Sequence, residues 1–183
     1  MFRISHFMHE LAQAEATGAY PAPKRRGGEG GALRPHTGPV VIWNLIRRCN
    51  LTCKHCYAFS ADHDYPGELS TQQVFDVMDD LHAFKVPALI LSGGEPLLRP
   101  DIFEVAERAK QLKFYVGLST NGTLIDEPLA RRIHDHGFDY VGISLDGLKP
   151  THDKFRRLDG AFDRSLAAIR HLATHNVKVG LRF

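Results

Sequence analysis

Residues 40–57 join an apolar run to a loop with three cysteines: Val40-Val41-Ile42-Trp43-Asn44-Leu45-Ile46-Arg47-Arg48-Cys49-Asn50-Leu51-Thr52-Cys53-Lys54-His55-Cys56-Tyr57. The apolar run, residues 40–46, predicts a β-strand buried on both faces, as in a parallel sheet. The cysteine loop follows the carboxyl end of this strand directly. Because an α/β barrel carries its chemistry at the carboxyl ends of its strands, we expect the cysteines at the functional site.

Helices and strands alternate along the rest of the chain. The predicted helices cover residues 70–84, 102–112, 127–136 and 162–175. The predicted strands that follow the first cover residues 88–91, 114–118, 140–144 and 177–183. The first helix opens with a capping box formed by Ser70 and Gln73. Alternation at these lengths predicts an α/β fold, a whole or partial (β/α) barrel with a parallel sheet and helices packed outside it.

The two ends of the chain differ from this core, which is predicted over residues 40–183. Residues 1–39 are expected to form an N-terminal arm, with helical apolar spacing over 2–16 and a Gly/Pro-rich linker over 17–39. At the other end, no helix follows the last predicted strand, which would leave apolar surface uncovered. We therefore expect a barrel that is incomplete at its C-terminus. Either the natural protein continues beyond this strand, or a partner covers its edge.

Composition excludes several classes of function. The chain has 23 Lys and Arg against 21 Asp and Glu, and its basic residues are not clustered, so no nucleic-acid partner is expected. No apolar run approaches the roughly 18 residues needed to cross a bilayer, and no signal-peptide pattern opens the chain. Three neighbouring cysteines do not make a disulfide framework, which favours metal binding in a reducing cytoplasm.

The cysteine spacing favours an iron–sulfur cluster. Cys49, Cys53 and Cys56 are the three cysteines of the chain, and three thiolates on one loop can hold three corners of a four-iron cluster. Without a fourth cysteine, one iron would be open to another ligand. Two alternatives remain at this point: a zinc site of the three cysteines with His55, although structural zinc sites usually take ligands from two separated segments, and three inert buried cysteines.

The next three predicted strands also end in polar or glycine-rich segments. These segments are Ser92-Gly93-Gly94-Glu95-Pro96, Ser119-Thr120-Asn121-Gly122 and Ser144-Leu145-Asp146-Gly147. Glycines let the backbone approach a ligand closely, and a carboxylate suits a cation. Ordinary turn chemistry explains Asn-Gly and Asp-Gly equally well. If the barrel forms, all three segments lie at the same end as the cysteines.

The spacing Cys49-x-x-x-Cys53-x-x-Cys56 resembles the signature of the radical S-adenosylmethionine (radical SAM) superfamily. The resemblance implies a [4Fe-4S] cluster whose open iron binds the amino and carboxylate groups of S-adenosylmethionine. It further implies that an electron from the reduced cluster yields methionine and a 5′-deoxyadenosyl radical. Iron–sulfur potentials reach about −700 mV, which suits the reduction of a sulfonium.

The resemblance also implies a set of cofactor-binding residues: Gly93, Gly94, Glu95, Ser119, Asn121, Ser144 and Arg156, with Asp146 as a further polar residue. The glycine-glycine-glutamate segment would bind the methionine amino group, and Arg156 would pair with the methionine carboxylate, a geometry that guanidinium suits. The alternative for Arg156 is a solvated side chain on a short helix. His55 stands where the family often has an aromatic residue, and it could stack near the adenine.

A finer resemblance, to the radical SAM enzymes of heme d1 biosynthesis, is carried by residues 1–8, 41–57 and 92–101. It implies a tetrapyrrole substrate, didecarboxysiroheme, from which propionate side chains are removed, and an electron donor such as flavodoxin or ferredoxin. The alternatives are a sister enzyme of alternative heme synthesis and a peptide-modifying radical enzyme. The non-enzymatic alternatives are an iron–sulfur electron carrier and a zinc-binding module. Relatives of this kind carry a C-terminal cysteine-rich extension that this chain lacks.

Overall fold

In the computed structural model, which describes residues 38–183, five strands form one parallel sheet. The strands are β1 Val41–Ile46, β2 Ala88–Gly93, β3 Tyr115–Thr120, β4 Tyr140–Ser144 and β5 Val179–Arg182. They lie side by side in chain order, each parallel to the next. Successive crossovers of one hand give this order in a barrel wall. The predicted α/β class and the five predicted strands are confirmed.

Helices connect the strands. They are α1 Thr71–Ala83, α2 Ile102–Gln111, α3 Glu127–Asp135, α4 Lys149–Arg156 and α5 Ala161–Thr174, with a 3₁₀ turn at Pro96–Leu98. Four match the predicted helices to within about two residues, and the capping box of Ser70 and Gln73 that opens α1 is confirmed. The remaining helix, α4, was not predicted as a separate element. The predictions for the N-terminal arm lie outside the described residues, apart from Gly38 and Pro39.

The hydrophobic core fills the space between the helices and one face of the sheet. Leu89, Leu91, Val116 and Leu118 of β2 and β3 are fully buried there. Met78 of α1 packs into the same cluster, which also takes in side chains of α2, α3 and α5. Each such side chain stabilises the fold by roughly 1.5–3 kcal/mol when it leaves water. This layer fixes the strand ends that form the site.

The first strand differs from its prediction. Strand β1 was expected to be buried on both faces, but Ile42 is 60% exposed and Asn44 is also exposed. The reason is its position at the edge of the sheet, where β2 is its one neighbouring strand among residues 38–183. Its pairing with β2 shifts register between Asn44 and Ile46. That irregularity lies directly before the cysteine loop.

The opposite face of the sheet, here called the inner face, carries glycine and serine residues beside the larger side chains of Ile90 and Tyr140. Because successive residues of a strand point to opposite faces, Gly117, Ser119 and Gly142 lie on it while the intervening residues enter the core. Pairing across β4 and β5 sets Gly142 beside Gly180 and Ser144 beside Arg182. Among the described residues, no helix is long and apolar enough to span a membrane.

Candidate functional site

A cavity of about 260 Å³ opens at the carboxyl ends of the strands, where the sequence predicted the site. Its walls come from the cysteine loop and from the ends of β2, β3, β4 and β5. The predicted residues that line it are Cys49, Cys53, His55, Cys56, Gly93, Gly94, Ser119, Asn121, Ser144, Asp146 and Arg156. Glu95 does not line it. The fold therefore brings together side chains that are about 100 residues apart in sequence.

Each of the three cysteine sulfurs faces a hydrogen-bond donor of the chain. The Leu51 N–H donates to Cys49 Sγ at 3.4 Å and the Ser60 N–H donates to Cys56 Sγ at 3.5 Å. The Arg156 guanidinium donates to Cys53 Sγ at 3.7 Å. Donors of this kind favour sulfur that carries negative charge, in a thiolate or in a metal–thiolate bond.

The three thiols are not equivalent. Burial raises the pKa of Cys49 to about 11. Burial also raises the pKa of Cys53, although the nearby Arg156 opposes the shift. At Cys56 burial is outweighed by backbone hydrogen bonds, chiefly from Ser60, and the pKa is lowered. Cys56 is thus the thiol of the loop that is most readily ionised.

The cysteines do not converge on one point. Within residues 38–183, no three His, Cys, Asp or Glu side chains lie close enough to hold a single metal ion. The set of three cysteines and His55 that the zinc alternative requires is therefore not assembled in this part of the chain. A four-iron cluster makes a different demand, because each thiolate binds a different iron and the sulfurs surround the cluster.

Gly93 and Gly94 are required by the packing of two backbones. The Gly94 N–H donates to the Ile46 carbonyl at 2.7 Å, and the Glu95 N–H donates to the Arg48 carbonyl at 2.9 Å. A side chain at either glycine would collide with the carbonyl groups of residues 46–48, and Gly93 has a φ of +143°. These glycines therefore hold the root of the cysteine loop against β2, and their own backbone lines the cavity.

Glu95 turns into the protein. Its side chain is fully buried. Its carboxylate accepts hydrogen bonds from the Thr120 hydroxyl at 2.8 Å, the Asn121 N–H at 2.9 Å and the Leu97 N–H at 3.2 Å. Burial raises its pKa from 4.5 to about 7, against the effect of these donors. The structure thus places this carboxylate as a tie between the ends of β2 and β3, outside the set of residues that line the cavity.

Asn121 ties the cysteine loop to the end of β3. Its side-chain amide donates to the Asn50 side-chain oxygen at 2.9 Å and approaches Cys49 Sγ at 3.9 Å. Its own side-chain oxygen accepts from the Thr123 hydroxyl at 2.6 Å, and that hydroxyl in turn accepts from the Asn50 side-chain amide at 2.9 Å. The sequence marked Asn121 but not Asn50 or Thr123. The closed ring of bonds shows that these side chains support the first cysteine.

Arg156 lies at the cavity but already has an anionic partner. Its guanidinium donates to both carboxylate oxygens of Asp146, at 2.6 and 2.9 Å, and both side chains are largely buried. One bidentate edge of the guanidinium is therefore occupied by Asp146. Its remaining nitrogen approaches Cys53. The alternative of a solvated arginine is wrong, because Arg156 is 9% exposed.

Two histidines flank this ion pair. His152 is 1% exposed, and its Nδ1 accepts the Asp146 backbone N–H at 3.1 Å. Burial, together with the nearby Arg156, lowers its pKa, so His152 is neutral at pH 7. His55 stands between Asp146, at 3.6 Å, and the ring of Phe155, at 5.6 Å between centroids. It lines the cavity, where the sequence placed it.

Arg182 was not marked by sequence reasoning. It lies on β5 and lines the cavity, and its guanidinium donates to the Ser119 hydroxyl. Strand alternation was the available signal, since Gly180 and Arg182 fall on one face of the last predicted strand. Phe183 and Tyr57 also line the cavity and are 84% and 75% exposed. The cavity therefore has a cation on one wall and exposed aromatic rings at its rim.

Comparisons with known proteins were made on the sequence and on the fold. The family model described as the radical SAM superfamily matches residues 43–183. A pre-heme d1 synthase of Dinoroseobacter shibae is 50% identical over 183 residues, covering 100% of this chain and 42% of that protein. An Fe-coproporphyrin III synthase of Methanosarcina barkeri is 47% identical over 145 residues, covering 79% of this chain and 36% of that protein.

The fold is similar to that of a solved structure, native anSMEcpe with bound AdoMet and Cp18Cys peptide. The TM-score is 0.62 at 27% identity, covering 76% of this chain and 41% of that chain. This chain spans less than half the length of the curated relatives that it matches.

Proposed function

Because this chain belongs to the radical SAM superfamily, we propose that it forms the S-adenosylmethionine-cleaving core of a radical enzyme that acts on a tetrapyrrole. The observation that carries the proposal is a single cavity shared by three cysteines, the paired glycines and the polar ends of β3 and β4. The relative that matches the whole chain at 50% identity is named for heme d1, which supports the substrate class.

The donor chemistry of Cys49, Cys53 and Cys56 fits a [4Fe-4S] cluster. Each sulfur faces an N–H donor, and such donors tune the potential of iron–sulfur sites. When bound, the cluster supplies the electron that splits S-adenosylmethionine into methionine and a 5′-deoxyadenosyl radical. The chain's own groups hold the thiolates apart and present the polar strand ends. An external donor such as flavodoxin or ferredoxin would supply the electrons.

We propose two kinds of contribution to cofactor binding. Gly93, Gly94, Ser119 and Ser144 line the cavity and are proposed to contact S-adenosylmethionine directly. Glu95, Asn121 and Arg156 already bond to the protein through their side chains. We propose that these three act chiefly by holding the strand ends and the cysteines in place.

For the reaction, we propose removal of propionate side chains from didecarboxysiroheme on the way to heme d1. A carbon–carbon bond of an unactivated side chain requires a strong radical to start its cleavage, and the protein supplies orientation and shielding from water. Tyr57 and Phe183, exposed at the rim of the cavity, offer flat apolar surface of the kind that packs on a macrocycle.

The test begins with the chain reconstituted anaerobically with iron and sulfide and then reduced. We expect 5′-deoxyadenosine to form from S-adenosylmethionine, and its rate to rise when didecarboxysiroheme is added. Cys53→Ala is the matched negative control, because it removes one ligand and leaves the rest of the loop. Turnover that survived this substitution would refute the cluster assignment.

The competing functions give different outcomes in the same assay. Formation of an iron-coproporphyrin from the added tetrapyrrole, read by mass spectrometry, would favour the sister heme enzyme, and the name of the similar Methanosarcina barkeri protein, an Fe-coproporphyrin III synthase, supports this alternative. Stimulation by a peptide alone would rule out the tetrapyrrole. A cluster whose electron paramagnetic resonance spectrum did not change with S-adenosylmethionine would indicate an electron carrier, and bound zinc without iron would indicate a zinc module.

A further inference from the structure

We propose that Arg182 is the carboxylate-binding residue of the cavity, an inference that rests on the proposed function and adds to it a contact that the sequence pattern assigned to Arg156. The guanidinium of Arg182 would bind a carboxylate of a ligand inside the cavity. Both proposed ligands carry one: the methionine part of S-adenosylmethionine and the propionate groups of the tetrapyrrole.

The first support is the path of the side chain. Arg182 leaves β5 beside Ser144 and crosses the inner face of the sheet above Gly142. Its guanidinium then reaches the Ser119 hydroxyl on β3, two strands away. The cation is thus held across the floor of the cavity by the protein itself, on strands and not on a mobile loop, as a preorganised binding group requires.

The second support is charge. Within residues 38–183, no Asp or Glu carboxylate forms a salt bridge with Arg182, whereas both oxygens of Asp146 bind Arg156. Arginine stays protonated in proteins, so a partly buried guanidinium whose polar partner is one hydroxyl keeps its full charge and spare donors. A carboxylate balances the charge and accepts the spare hydrogen bonds, because it is an anion whose two oxygens match the planar fork of the guanidinium.

The third support is the glycine beneath the side chain. A methyl group added at Gly142 would lie 2.8 Å from Cδ and 3.2 Å from Cγ of Arg182. The backbone of Gly142 has no positive φ, so the fold itself does not demand glycine there. Glycine at 142 leaves the space in which the arginine stem lies flat. The ring of Tyr140, 3.3 Å from the same added methyl group, is the other side chain that Gly142 accommodates.

The experiment measures equilibrium binding by the reconstituted 183-residue chain, without turnover. The probes are S-adenosylmethionine and its decarboxylated form, and didecarboxysiroheme and its methyl ester. Arg182→Gln should weaken the binding of the carboxylate form of one ligand by about 30-fold, and leave the binding of the counterpart without that carboxylate unchanged. Gly142→Ala should weaken the binding of the same ligand although Arg182 is still present, because the added methyl group displaces the aliphatic part of the Arg182 side chain. Arg170→Gln, an exposed position on α5, is the control and should change nothing.

The four probes separate the outcomes. A loss confined to S-adenosylmethionine identifies the methionine carboxylate as the partner, and a loss confined to the free-acid tetrapyrrole identifies a propionate. If the wild-type chain binds a ligand and Arg182→Gln binds all four probes equally well, the Arg182 assignment is wrong and the proposed function stands. If the wild-type chain binds neither ligand, both proposals fail. Arg182→Lys, which keeps the charge but not the fork, should fall between the two.

Discussion

The two sides of the cavity use polar residues for opposite purposes. On one side, called the closed wall, Thr120 and Asn121 line the cavity at the end of β3, and Glu95 from the end of β2 is buried behind them; their exposed fractions are 2%, 6% and 0%. Their hydrogen bonds are made within the protein. On the other side, called the open wall, Ser144 and Arg182 at the ends of β4 and β5 face the cavity. A polar motif at a strand end thus either holds the fold or stands ready for a ligand.

The difference changes how the glycine-glycine-glutamate motif is understood. Each of its residues has a use inside the protein: the glycines admit the backbone of residues 46–48, and Glu95 binds β3. Gly93 and Gly94 line the cavity, and the Glu95 carboxylate does not. Mutations in the closed wall should therefore change the stability of the fold, and mutations in the open wall should change ligand binding.

The largest expected effect is that of Glu95→Ala. It leaves the Thr120 hydroxyl and the Asn121 N–H buried without an acceptor, and each such group costs about 1–3 kcal/mol. We expect the free energy of unfolding to fall by about 3–5 kcal/mol, measured by urea denaturation. Glu104→Ala, an exposed glutamate in the first turn of α2, is the control and should cost less than about 1 kcal/mol. Equal losses of unfolding free energy for the two variants would contradict the stabilising role assigned to the closed wall.

The same carboxylate predicts a pH dependence. Glu95 titrates near 4.5 in the unfolded chain, and burial raises its pKa to about 7 in the folded protein. Between these values the folded state binds more protons, so the free energy of unfolding falls as pH rises, by up to about 3 kcal/mol. The measurement is urea denaturation from pH 4 to 8, and Glu95→Gln should lack this component. Parallel pH profiles for the two proteins would show that the pKa of Glu95 does not differ between the folded and unfolded states.

Asp146→Asn should have a smaller effect. It removes the charge that faces Arg156, whose side chain is 10% exposed, but keeps an oxygen that accepts one hydrogen bond. We expect a loss of about 2 kcal/mol in the free energy of unfolding. In a double-mutant cycle with Arg156→Gln, the two substitutions should couple by more than about 1 kcal/mol. Additive effects would mean that the pair is not formed.

Ser144→Ala should have the smallest effect on stability. The side chain faces the cavity and is partly exposed, so its hydroxyl is solvated in the free protein. The free energy of unfolding should change by less than about 0.5 kcal/mol, while binding of S-adenosylmethionine to the reconstituted chain should weaken several-fold. A destabilisation as large as that of Asp146→Asn would place Ser144 in the closed wall.

Most of the framework could be predicted from sequence because local patterns determine it. Apolar runs marked the strands, and capping chemistry marked α1 at Ser70. Helix α4 escaped because Lys149–Arg156 lacks an apolar stripe, and the side chains it buries are His152 and Arg156. Polar burial depends on partners elsewhere in the chain, here Asp146 and the cysteine loop, and periodicity carries no information about them.

The site was predicted as a set of positions, but the direction of each side chain was not. Glu95 and Arg156 belong to the right segments, yet their nearest partners are supplied by other loops, Thr120 and Asn121 for the first and Asp146 for the second. Arg182 was overlooked because a lone arginine in a strand carries no motif. Its meaning depends on Gly142 of the neighbouring strand, a contact that parallel pairing creates only after folding.

The bond from Arg156 to Cys53 spans 103 positions of the chain, and the Lys54 N–H donates to the Phe155 carbonyl beside it. Contacts between such distant residues form late, because the intervening chain must first be ordered. The cysteine loop therefore gains its last supports only after β4 and α4 have docked. We expect cluster assembly to follow folding. A chain truncated before residue 149 would therefore contain all three cysteines and still bind iron weakly.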